Sequence, residues 1–402
     1  MASVKLDIKT YHMMNKKLQA RGAPKLVFVE FNFEGSIHQL INSSMAISLV
    51  KAFPDHELHL IGDKTHIDSI SQPIKGSLNL LYINVSKETK KIYRNTINYY
   101  FAPIKRLNLF VKSFQSIQTS NDDFFFFASN NEFDFFCIWF LVKFKKIQKC
   151  AIVLHGNLNE VHAWQSKNPF RLMLNYKSAI TRISSLAVKL ICLEANVEKN
   201  IKKIIPEISA NLIVIPHPID QKHVDYAELS LTRPLTFSFI GKLSSEKGPE
   251  QFEDLACKLS SEIYNFWFIG WTDEYVLKNE KHFSLLPKQQ FLEQCYIEEK
   301  IQDSDFICIF NQDDYYKLSA SGVLLDAIKY NKPLIHLGFQ LIRDIEEDYG
   351  QISIEADSIE ELVEKIRRTS FNEIIEMKDR LRKVADARSC ENQIQLFKNL
   401  FA

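Results

Sequence analysis

The stretch Phe237-Ser-Phe-Ile-Gly-Lys-Leu-Ser-Ser-Glu-Lys-Gly248 decides the fold of this chain, together with Ser319-Ala-Ser-Gly-Val-Leu-Leu-Asp-Ala-Ile-Lys-Tyr-Asn-Lys-Pro-Leu-Ile335. The apolar run of the first stretch predicts a buried strand that ends in a glycine turn. The second predicts a polar loop, a helix that opens at a glycine, and another strand. Strands that alternate with helices in this way indicate an α/β sheet.

The glycine turn carries the polar groups of a candidate anion site. Gly241 lets the backbone approach a phosphate, and Lys242 and Lys247 each supply a mobile positive charge. The alternative is a solvated surface turn that happens to contain two lysines. The second stretch, which follows in the right order, favours the binding site.

That second stretch adds a helix N-terminus and a carboxylate. Ser319 lies in the polar loop, and Ser321 and Gly322 open a helix whose free N–H groups can bind pyrophosphate. Asp326 follows about one turn later, and a carboxylate there can accept hydrogen bonds from ribose hydroxyls. Its alternative role is that of a first-turn partner of the helix dipole. Together the two stretches predict a site for an anionic, hydroxyl-bearing ligand such as a nucleotide sugar.

These residues resemble a known family. The order strand, Gly-Lys-Leu, Lys-Gly, Gly-Val-Leu-Leu-Asp-Ala-Ile and Lys-Pro-Leu-Ile is similar to the C-terminal domain of GT-B glycosyltransferases, in the retaining branch of glycogen synthase-like and bacterial polysaccharide enzymes. Phe33-Glu-Gly-Ser-Ile-His38, Val153-Leu-His-Gly156 and Val214-Ile-Pro-His-Pro-Ile-Asp220 resemble its glycine loop, strand-end His-Gly and interdomain linker. The resemblance implies an α/β protein with two Rossmann-like, doubly wound domains that face a central cleft.

The chain departs from the family at two positions. Lys242 stands where the family usually has Arg, so the charge is kept and the bidentate fork is lost. Leu318 stands where the family has the first Glu of its Glu-seven-Glu motif, and it accepts no hydrogen bond. The residues that remain as alternative contacts to the donor sugar are Asp313, Asp314, Ser319 and Ser321.

The first half of the chain supplies the candidate catalytic residue. The resemblance implies that His155, at the end of a Val/Ile-rich strand, faces the donor sugar, where a neutral imidazole can bind a hydroxyl or take its proton. The alternative is a strand-end histidine satisfied by the backbone. Gly35 and Ser36 precede a helix whose N-terminus would face the same cleft. His38, on the apolar stripe of that helix, is interpreted as structural.

Length and prolines suggest the domain boundaries. A chain of 402 residues predicts two domains, and Pro216, Pro218 and Pro234 bracket a candidate linker. We predict an acceptor domain over 1–217 and a nucleotide-sugar domain over 218–385. The final helix of GT-B proteins often crosses back onto the first domain, and 386–402 is the candidate here.

Composition limits the partners and the compartment. A net charge of +1 argues against nucleic acid as a partner. Seven cysteines, without a Cys-x-x-Cys pair, indicate reduced thiols and no zinc. The start lacks a signal-peptide core, and no apolar run is long enough to span a bilayer, so a cytoplasmic protein is expected. No metal-binding Asp-x-Asp stands out, so a metal-independent reaction without a cofactor is expected.

Two stretches predict a peripheral membrane surface. Residues 90–106 and 133–149 mix bases with aromatic side chains, as membrane-interface segments do. They also suit sheet-packing helices with snorkelling lysines, or a nucleic-acid patch. The bases predicted to face the inner leaflet of the plasma membrane are Lys90, Lys91, Arg94, Lys105 and Arg106.

The sequence therefore predicts a glycosyltransferase. It would move a sugar from a nucleoside-diphosphate sugar to a glycan or lipid-linked saccharide in bacterial surface polysaccharide synthesis (lipopolysaccharide or capsule), with retention. A nucleotide-sugar epimerase of the same fold and an inactive partner subunit stay as alternatives, the latter because of Leu318. A dehydrogenase is disfavoured, because Gly-x-Gly-x-x-Gly is missing after the first strand.

Overall fold

The computed structural model describes most of the chain. It contains two parallel β-sheets, one in each half, with helices on both faces. The described residues are 23–35, 38–74, 78–83, 96–155, 158, 175–220, 234–259, 263–272, 275–290, 292–311 and 317–401.

The first sheet has seven strands in the order β3-β2-β1-β4-β5-β6-β7, and all its pairs are parallel. The chain moves outward from β1 to β3 and then returns to β4, so the strand order reverses between β1 and β4. Such a switch point opens a crevice at the carboxyl ends of the strands. The strands are β1 Lys25–Glu30, β2 Glu57–Gly62, β3 Leu78–Tyr82, β4 Phe124–Ser129, β5 Lys149–Val153, β6 Lys189–Cys192 and β7 Leu212–Val214.

The second sheet has five parallel strands in the order β12-β11-β10-β8-β9. Its switch point lies between β8 and β10, next to the glycine turn that the sequence singled out. The two sheets confirm the predicted α/β architecture of two Rossmann-like domains. The strands are β8 Leu235–Lys242, β9 Tyr264–Trp271, β10 Phe306–Ile309, β11 Leu334–His336 and β12 Ser353–Glu355.

Helices cover both faces of each sheet. In the first half they are α1 Gln39–Ala52, α2 Lys64–Ser71, α3 Thr96–Ser116, α4 Glu132–Lys143, α5 Tyr176–Ser184 and α6 Ala195–Ile204. In the second half they are α7 Pro249–Lys258, α8 Gln294–Asp303, α9 Gly322–Lys329, α10 Gln340–Tyr349, α11 Ile359–Arg368, α12 Phe371–Ala387 and α13 Ile394–Lys398.

Burial on both faces explains the phenylalanine-rich strands. Every residue of β4, Phe-Phe-Phe-Phe-Ala-Ser, is buried. Phe125 and Phe127 pack into the core on one face of the sheet, while Phe124 and Phe126 pack into the core on the other. Such continuous apolar runs are typical of parallel strands that are covered by helices on both sides.

The chain crosses between the two sheets at two adjacent places. The N–H of Ile219 donates to the carbonyl of Arg388 over 2.8 Å, so the linker and the end of α12 lie side by side. The Arg388 guanidinium donates to both carboxylate oxygens of Glu194, at 2.7 and 2.8 Å. Burial raises the pKa of Glu194, but Arg388 and a hydrogen bond from His217 outweigh it and hold that pKa at about 2. The buried carboxylate of Glu194 thus contacts both crossings, through Arg388 at the end of α12 and through His217 in the linker.

The last residues pack on the first sheet. Helix α13 contacts α1, and Phe397 and Leu400 are buried in the same apolar cluster as Phe126. The ring of Phe401 stacks on that of Phe124 at 4.3 Å between centroids. The C-terminal segment therefore covers one face of the first domain.

A buried polar network fills the crevice between β1 and β4. The Arg106 guanidinium donates to both carboxylate oxygens of Asp134, at 2.5 and 3.1 Å. The amide of Asn32 donates to Asp134 over 2.8 Å, and its N–H donates to Glu30 over 2.8 Å. Burial raises the pKa of Glu30 to about 7, so this carboxyl group is close to half protonated at neutral pH.

Two expectations from the sequence are wrong. Arg106 does not face a membrane: it is buried, because its guanidinium neutralises the buried Asp134. The residue pattern over 287–298 predicts a helix there, whereas α8 begins at Gln294. The preceding segment is extended because Leu285 and Lys288 pair with the outer edge of β9. Lys90, Lys91 and Arg94 lie outside the described residues.

None of the helices in the described part of the chain combines the length and the apolar character needed to cross a bilayer.

Replacing Arg106 with alanine should leave Asp134 buried and uncompensated. We expect Arg106→Ala to lower the free energy of unfolding by about 3–5 kcal/mol, the usual cost of breaking a buried ion pair. The neighbouring Lys105 is exposed on the same helix, so Lys105→Ala should change stability by less than about 0.5 kcal/mol. Urea unfolding followed by circular dichroism measures both. Equal stability of the two variants would contradict the assignment.

Candidate functional site

Two glycines bring the ends of β8 and β9 together. Gly241 pairs with Gly270, and a Cβ on Gly270 would lie 1.8 Å from the Gly241 carbonyl oxygen. Gly241 itself has φ +104°, and a Cβ there would lie 3.1 Å from the Lys247 ammonium. Only glycine fits both positions. The absence of side chains lets Lys247 lie across the end of the strand.

Lys247 connects the two predicted stretches. It ends a short 3-10 turn, Ser245–Lys247, and lines a small cavity with Asn311 and with Val323 in the first turn of α9. Burial and the nearby Lys242 lower the pKa of the Lys247 ammonium. In the part of the chain that the structure describes, no carboxylate pairs with Lys247. A cation held without a counterion beside a helix N-terminus suits an anionic ligand.

The N-terminus of α9 has N–H donors that no described residue engages. The Ser321 hydroxyl caps the helix by accepting a hydrogen bond from the N–H of Leu324 over 3.3 Å. Among the described residues, the N–H groups of Gly322 and Val323 meet no protein acceptor. Within the part of the chain that the structure describes, a Cβ on Gly322 would meet nothing within 4 Å, so the side of the helix at Gly322 is open. Ser319 lies partly buried in the loop before it.

Asp326 lies one turn into α9, near the charges of Lys329 and Glu298. Burial raises its pKa to about 7, while Lys329 opposes the shift and Glu298 adds to it. Within the described residues its carboxyl group has no hydrogen-bond partner. It is therefore free to bind a hydroxyl, and at neutral pH it is present in both the charged and the protonated forms.

The first domain contributes a pair of histidines. His155 follows β5, and its Nε2 lies 2.6 Å from Nδ1 of His38, just before α1. Burial lowers the pKa of His38 to about 4 and that of His155 well below its ordinary value, so both rings are neutral at pH 7. The alternative expectation for His155 was a backbone partner, and the structure gives it a side-chain partner instead. His38, interpreted as structural from the sequence, therefore belongs to the candidate site.

Both backbone polar groups of Gly35 contact side chains of the protein. Its N–H donates to the Thr65 hydroxyl over 2.9 Å, and its carbonyl lies 2.9 Å from Nδ1 of His66. Its role as a ligand contact stays a prediction. Ser36 and Gly156 lie outside the described residues.

The linker residue His217, which the sequence did not single out as a site residue, lies next to the histidine pair. Its ring lies edge-on to that of His155, at 5.8 Å between centroids, and its Nδ1 lies 3.1 Å from Glu194. Its Nε2 is buried, and no described residue forms a hydrogen bond with it. The signal in the sequence was a histidine at the linker position where the resembled family has asparagine. Across the described residues, no three His, Cys, Asp or Glu side chains are arranged to hold a metal ion.

Solved structures share this arrangement of two facing sheets. No protein-family model and no curated protein sequence matches the chain. A glycosyltransferase from Rickettsia africae superposes with a TM-score of 0.64 at 11% identity, over 94% of this chain and 99% of that one. The chain has the GT-B fold.

Two further GT-B structures superpose on this chain over similar lengths. The lipopolysaccharide outer core galactosyltransferase WaaB matches with a TM-score of 0.58 at 12% identity, over 94% of this chain and 98% of that one. HepE from Anabaena, in complex with UDP-glucose, matches with a TM-score of 0.60 at 10% identity, over 93% of this chain and 98% of that one.

One position of this GT-B chain is closed to a ligand. Leu318 is only 1% exposed and belongs to an apolar cluster of the first domain. The carbonyl of Lys317 beside it accepts a hydrogen bond from Asn200 on α6, over 2.9 Å. The loop therefore contacts the first domain, and Leu318 is used for packing. The alternative donor contacts Asp313 and Asp314 lie outside the described residues.

The raised pKa of Asp326 predicts a pH dependence of stability. In the folded protein Asp326 keeps its proton up to about pH 7, whereas in the unfolded chain it loses the proton near pH 4. The folded state therefore binds more protons across this window, and stability falls as the pH rises through it. We expect Asp326→Asn to flatten the decline of the unfolding free energy between about pH 4 and pH 7, measured by urea unfolding at several pH values.

Glu30→Gln is the comparison variant, because the pKa of the Glu30 carboxyl group is also raised to about 7 and Glu30 lies in the first domain. Glu30→Gln should also flatten the dependence of the unfolding free energy on pH, independently of Asp326. A pH profile of Asp326→Asn that runs parallel to that of the wild type would show that the carboxyl group is not desolvated.

Proposed function

We propose that this protein is a glycosyltransferase that uses a nucleoside-diphosphate sugar as its donor. The observation that carries the proposal is the meeting of Lys247 with the first turn of α9 at the carboxyl edge of the second sheet. A positive charge and free helix N–H groups at one place bind phosphate oxygens. The GT-B fold of the chain supports this proposal, and so does HepE, a structural neighbour whose structure contains UDP-glucose.

The arrangement suits stabilisation of the leaving group. An acceptor hydroxyl would attack the anomeric carbon as the bond from that carbon to the β-phosphate oxygen breaks. Negative charge would develop on the diphosphate, and the proton of the hydroxyl would pass to the departing phosphate oxygen. Lys242, Lys247 and the α9 N-terminus would stabilise that charge. His155 would contact the sugar from the first domain as a neutral imidazole. By resemblance the reaction retains configuration, and needs neither a metal nor a protein nucleophile.

We assign the acceptor to the saccharides of bacterial surface polysaccharide synthesis, either a glycan or a lipid-linked saccharide. The similarity of the fold to WaaB, a lipopolysaccharide galactosyltransferase, supports this class. The second candidate function is that of an inactive partner subunit. It is favoured by Leu318, which is buried where the resembled enzymes carry a glutamate. Turnover of a nucleotide sugar, with transfer to an acceptor, separates the two.

An exposed surface of the first domain supports contact with a membrane. The pairs Arg106 with Asp134 and Pro103 with Cys137 show that α3 and α4 are antiparallel. Phe101 and Phe144 therefore lie towards the same end of the helix pair.

Large apolar side chains at this end are open to solvent. Phe101 is 54% exposed, Ile104 66% and Phe144 56%. Exposed lysines lie beside them at positions 105, 143, 145 and 146. Apolar side chains ringed by lysines suit an anionic bilayer, at which the enzyme would meet a lipid-linked acceptor. The surface differs from the one expected from sequence, because Arg106 is not part of it.

Replacing Lys247 with alanine should weaken nucleotide binding. We expect Lys247→Ala to lose roughly 1.5–3 kcal/mol of binding free energy for the preferred nucleoside diphosphate, the scale of a charged hydrogen bond. Calorimetry with UDP, ADP and GDP identifies the preferred base and measures the loss. Lys383→Ala, an exposed lysine on α12, is the control and should bind like the wild type. Unchanged affinity in Lys247→Ala would exclude this phosphate site.

Neutralising the basic surface should weaken vesicle binding. Each lysine near an anionic membrane contributes on the order of 1 kcal/mol, so the triple variant Lys143→Gln, Lys145→Gln and Lys146→Gln should bind at least tenfold more weakly. Sedimentation with phosphatidylglycerol vesicles at low salt measures this. A matched variant with Arg367, Arg368 and Lys383 changed to Gln removes the same charge from the second domain and should bind like the wild type. Equal losses in both variants would reject this surface.

A further inference from the structure

The contact between His38 and His155 constrains where protons can be. Their nitrogens Nδ1 and Nε2 are 2.6 Å apart, a distance that requires one proton between them. Burial disfavours a positive charge on either ring. Two neutral imidazoles carry two N–H groups in total, and one of these is used in the shared hydrogen bond. The outer nitrogens, Nδ1 of His155 and Nε2 of His38, therefore carry one lone pair and one proton between them.

The hydrogen bond can have either His155 or His38 as its donor, and the relative stability of the neutral histidine tautomers favours one of these arrangements. If His155 donates through Nε2, both rings are in the Nε2–H form, which is the more stable tautomer of a neutral histidine side chain. If His38 donates instead, both rings take the less stable Nδ1–H form. The first arrangement leaves a lone pair on Nδ1 of His155 and a proton on Nε2 of His38. In the described residues, neither of these outer nitrogens bonds to another protein group.

The surroundings hold His38 in place for this contact. Its backbone has φ 58°, a left-handed conformation that is costly for a residue other than glycine, and its side chain makes no capping hydrogen bond to α1. Its ring stacks on Phe33 at 4.1 Å between centroids. On the far side, the ring of His217, anchored by Glu194, packs edge-on against His155. A strained residue that is held by specific contacts points to a role beyond packing.

We propose that His38 is a positioning residue that fixes His155 in its Nε2–H tautomer, so that Nδ1 of His155 is the hydrogen-bond acceptor offered to a sugar hydroxyl in the cleft. The proposal rests on the proposed function for the identity of that hydroxyl. The tautomer itself does not depend on it. Without His38, the His155 ring would exchange between tautomers and present the acceptor for only part of the time.

Two substitutions of His38 separate the hydrogen bond from packing. Asparagine tolerates the left-handed conformation and offers an amide oxygen near the position of Nδ1, so His38→Asn keeps an acceptor for His155. Phenylalanine keeps a ring to stack on Phe33 but has no acceptor. His38→Asn should therefore preserve the His155 tautomer, and His38→Phe should lose it.

The experiment is long-range ¹H–¹⁵N NMR of histidine-labelled full-length protein at pH 7.5, with His155→Gln used to assign the His155 signals. In the wild type and His38→Asn we expect a protonated Nε2 and an unprotonated Nδ1 on His155. In His38→Phe we expect averaged nitrogen shifts. An Nδ1–H tautomer in the wild type, or the same fixed tautomer in His38→Phe, would overturn the proposal.

Turnover of the nucleotide sugar gives the second readout. We expect His38→Phe to lower kcat by at least tenfold, within the range of proton-transfer catalysis, with affinity for the nucleoside diphosphate unchanged, and His38→Asn to restore most of the loss. Equal kcat in all three proteins would overturn the positioning role. If the wild type binds no nucleotide in calorimetry while the tautomer pattern appears as expected, the proposed function fails and the tautomer assignment stands.

Discussion

Burial of both faces of a parallel sheet constrains everything else in this protein. Strands such as β4 are apolar along almost their whole length, because polar side chains inside the layers would lose water without gaining partners. Polar groups are therefore concentrated where strands end. Arg106, Asp134 and Glu30 lie at the switch point of the first sheet, and Lys247 lies at the switch point of the second. The position of the candidate site follows from this constraint.

Burial shifts the pKa values of three ionisable groups of the candidate site towards their neutral forms. Burial favours the neutral form of His38 and His155, and it brings the carboxyl group of Asp326 close to half protonation at pH 7. A ligand with two phosphates is strongly anionic, and a full negative charge on Asp326 would repel it. This burial lowers stability, because folding is less favourable at pH values at which the same group would be charged in the unfolded chain.

Local patterns predicted the fold well, and contacts between distant residues explain the errors. The run from Phe237 to Gly241 and the helix at Gly322 are visible in sequence, because a strand, a turn and a helix are each encoded by adjacent residues. The extended segment at Leu285 depends on pairing with β9. The role of Arg106 depends on Asp134, and that of His38 on His155, much further along the chain. Spacing alone cannot reveal such partners.

The docking of α13 has a consequence for biosynthesis. Phe397, Leu400 and Phe401 complete an apolar layer over strands that are translated first. While the ribosome is still making the second domain, Phe124 and Phe126 lack that cover. The core of the first domain is therefore closed only after the segment around Phe397 to Phe401 has been made. A nascent chain that stalls near residue 390 would expose a phenylalanine-rich surface, which is the kind of surface that chaperones bind.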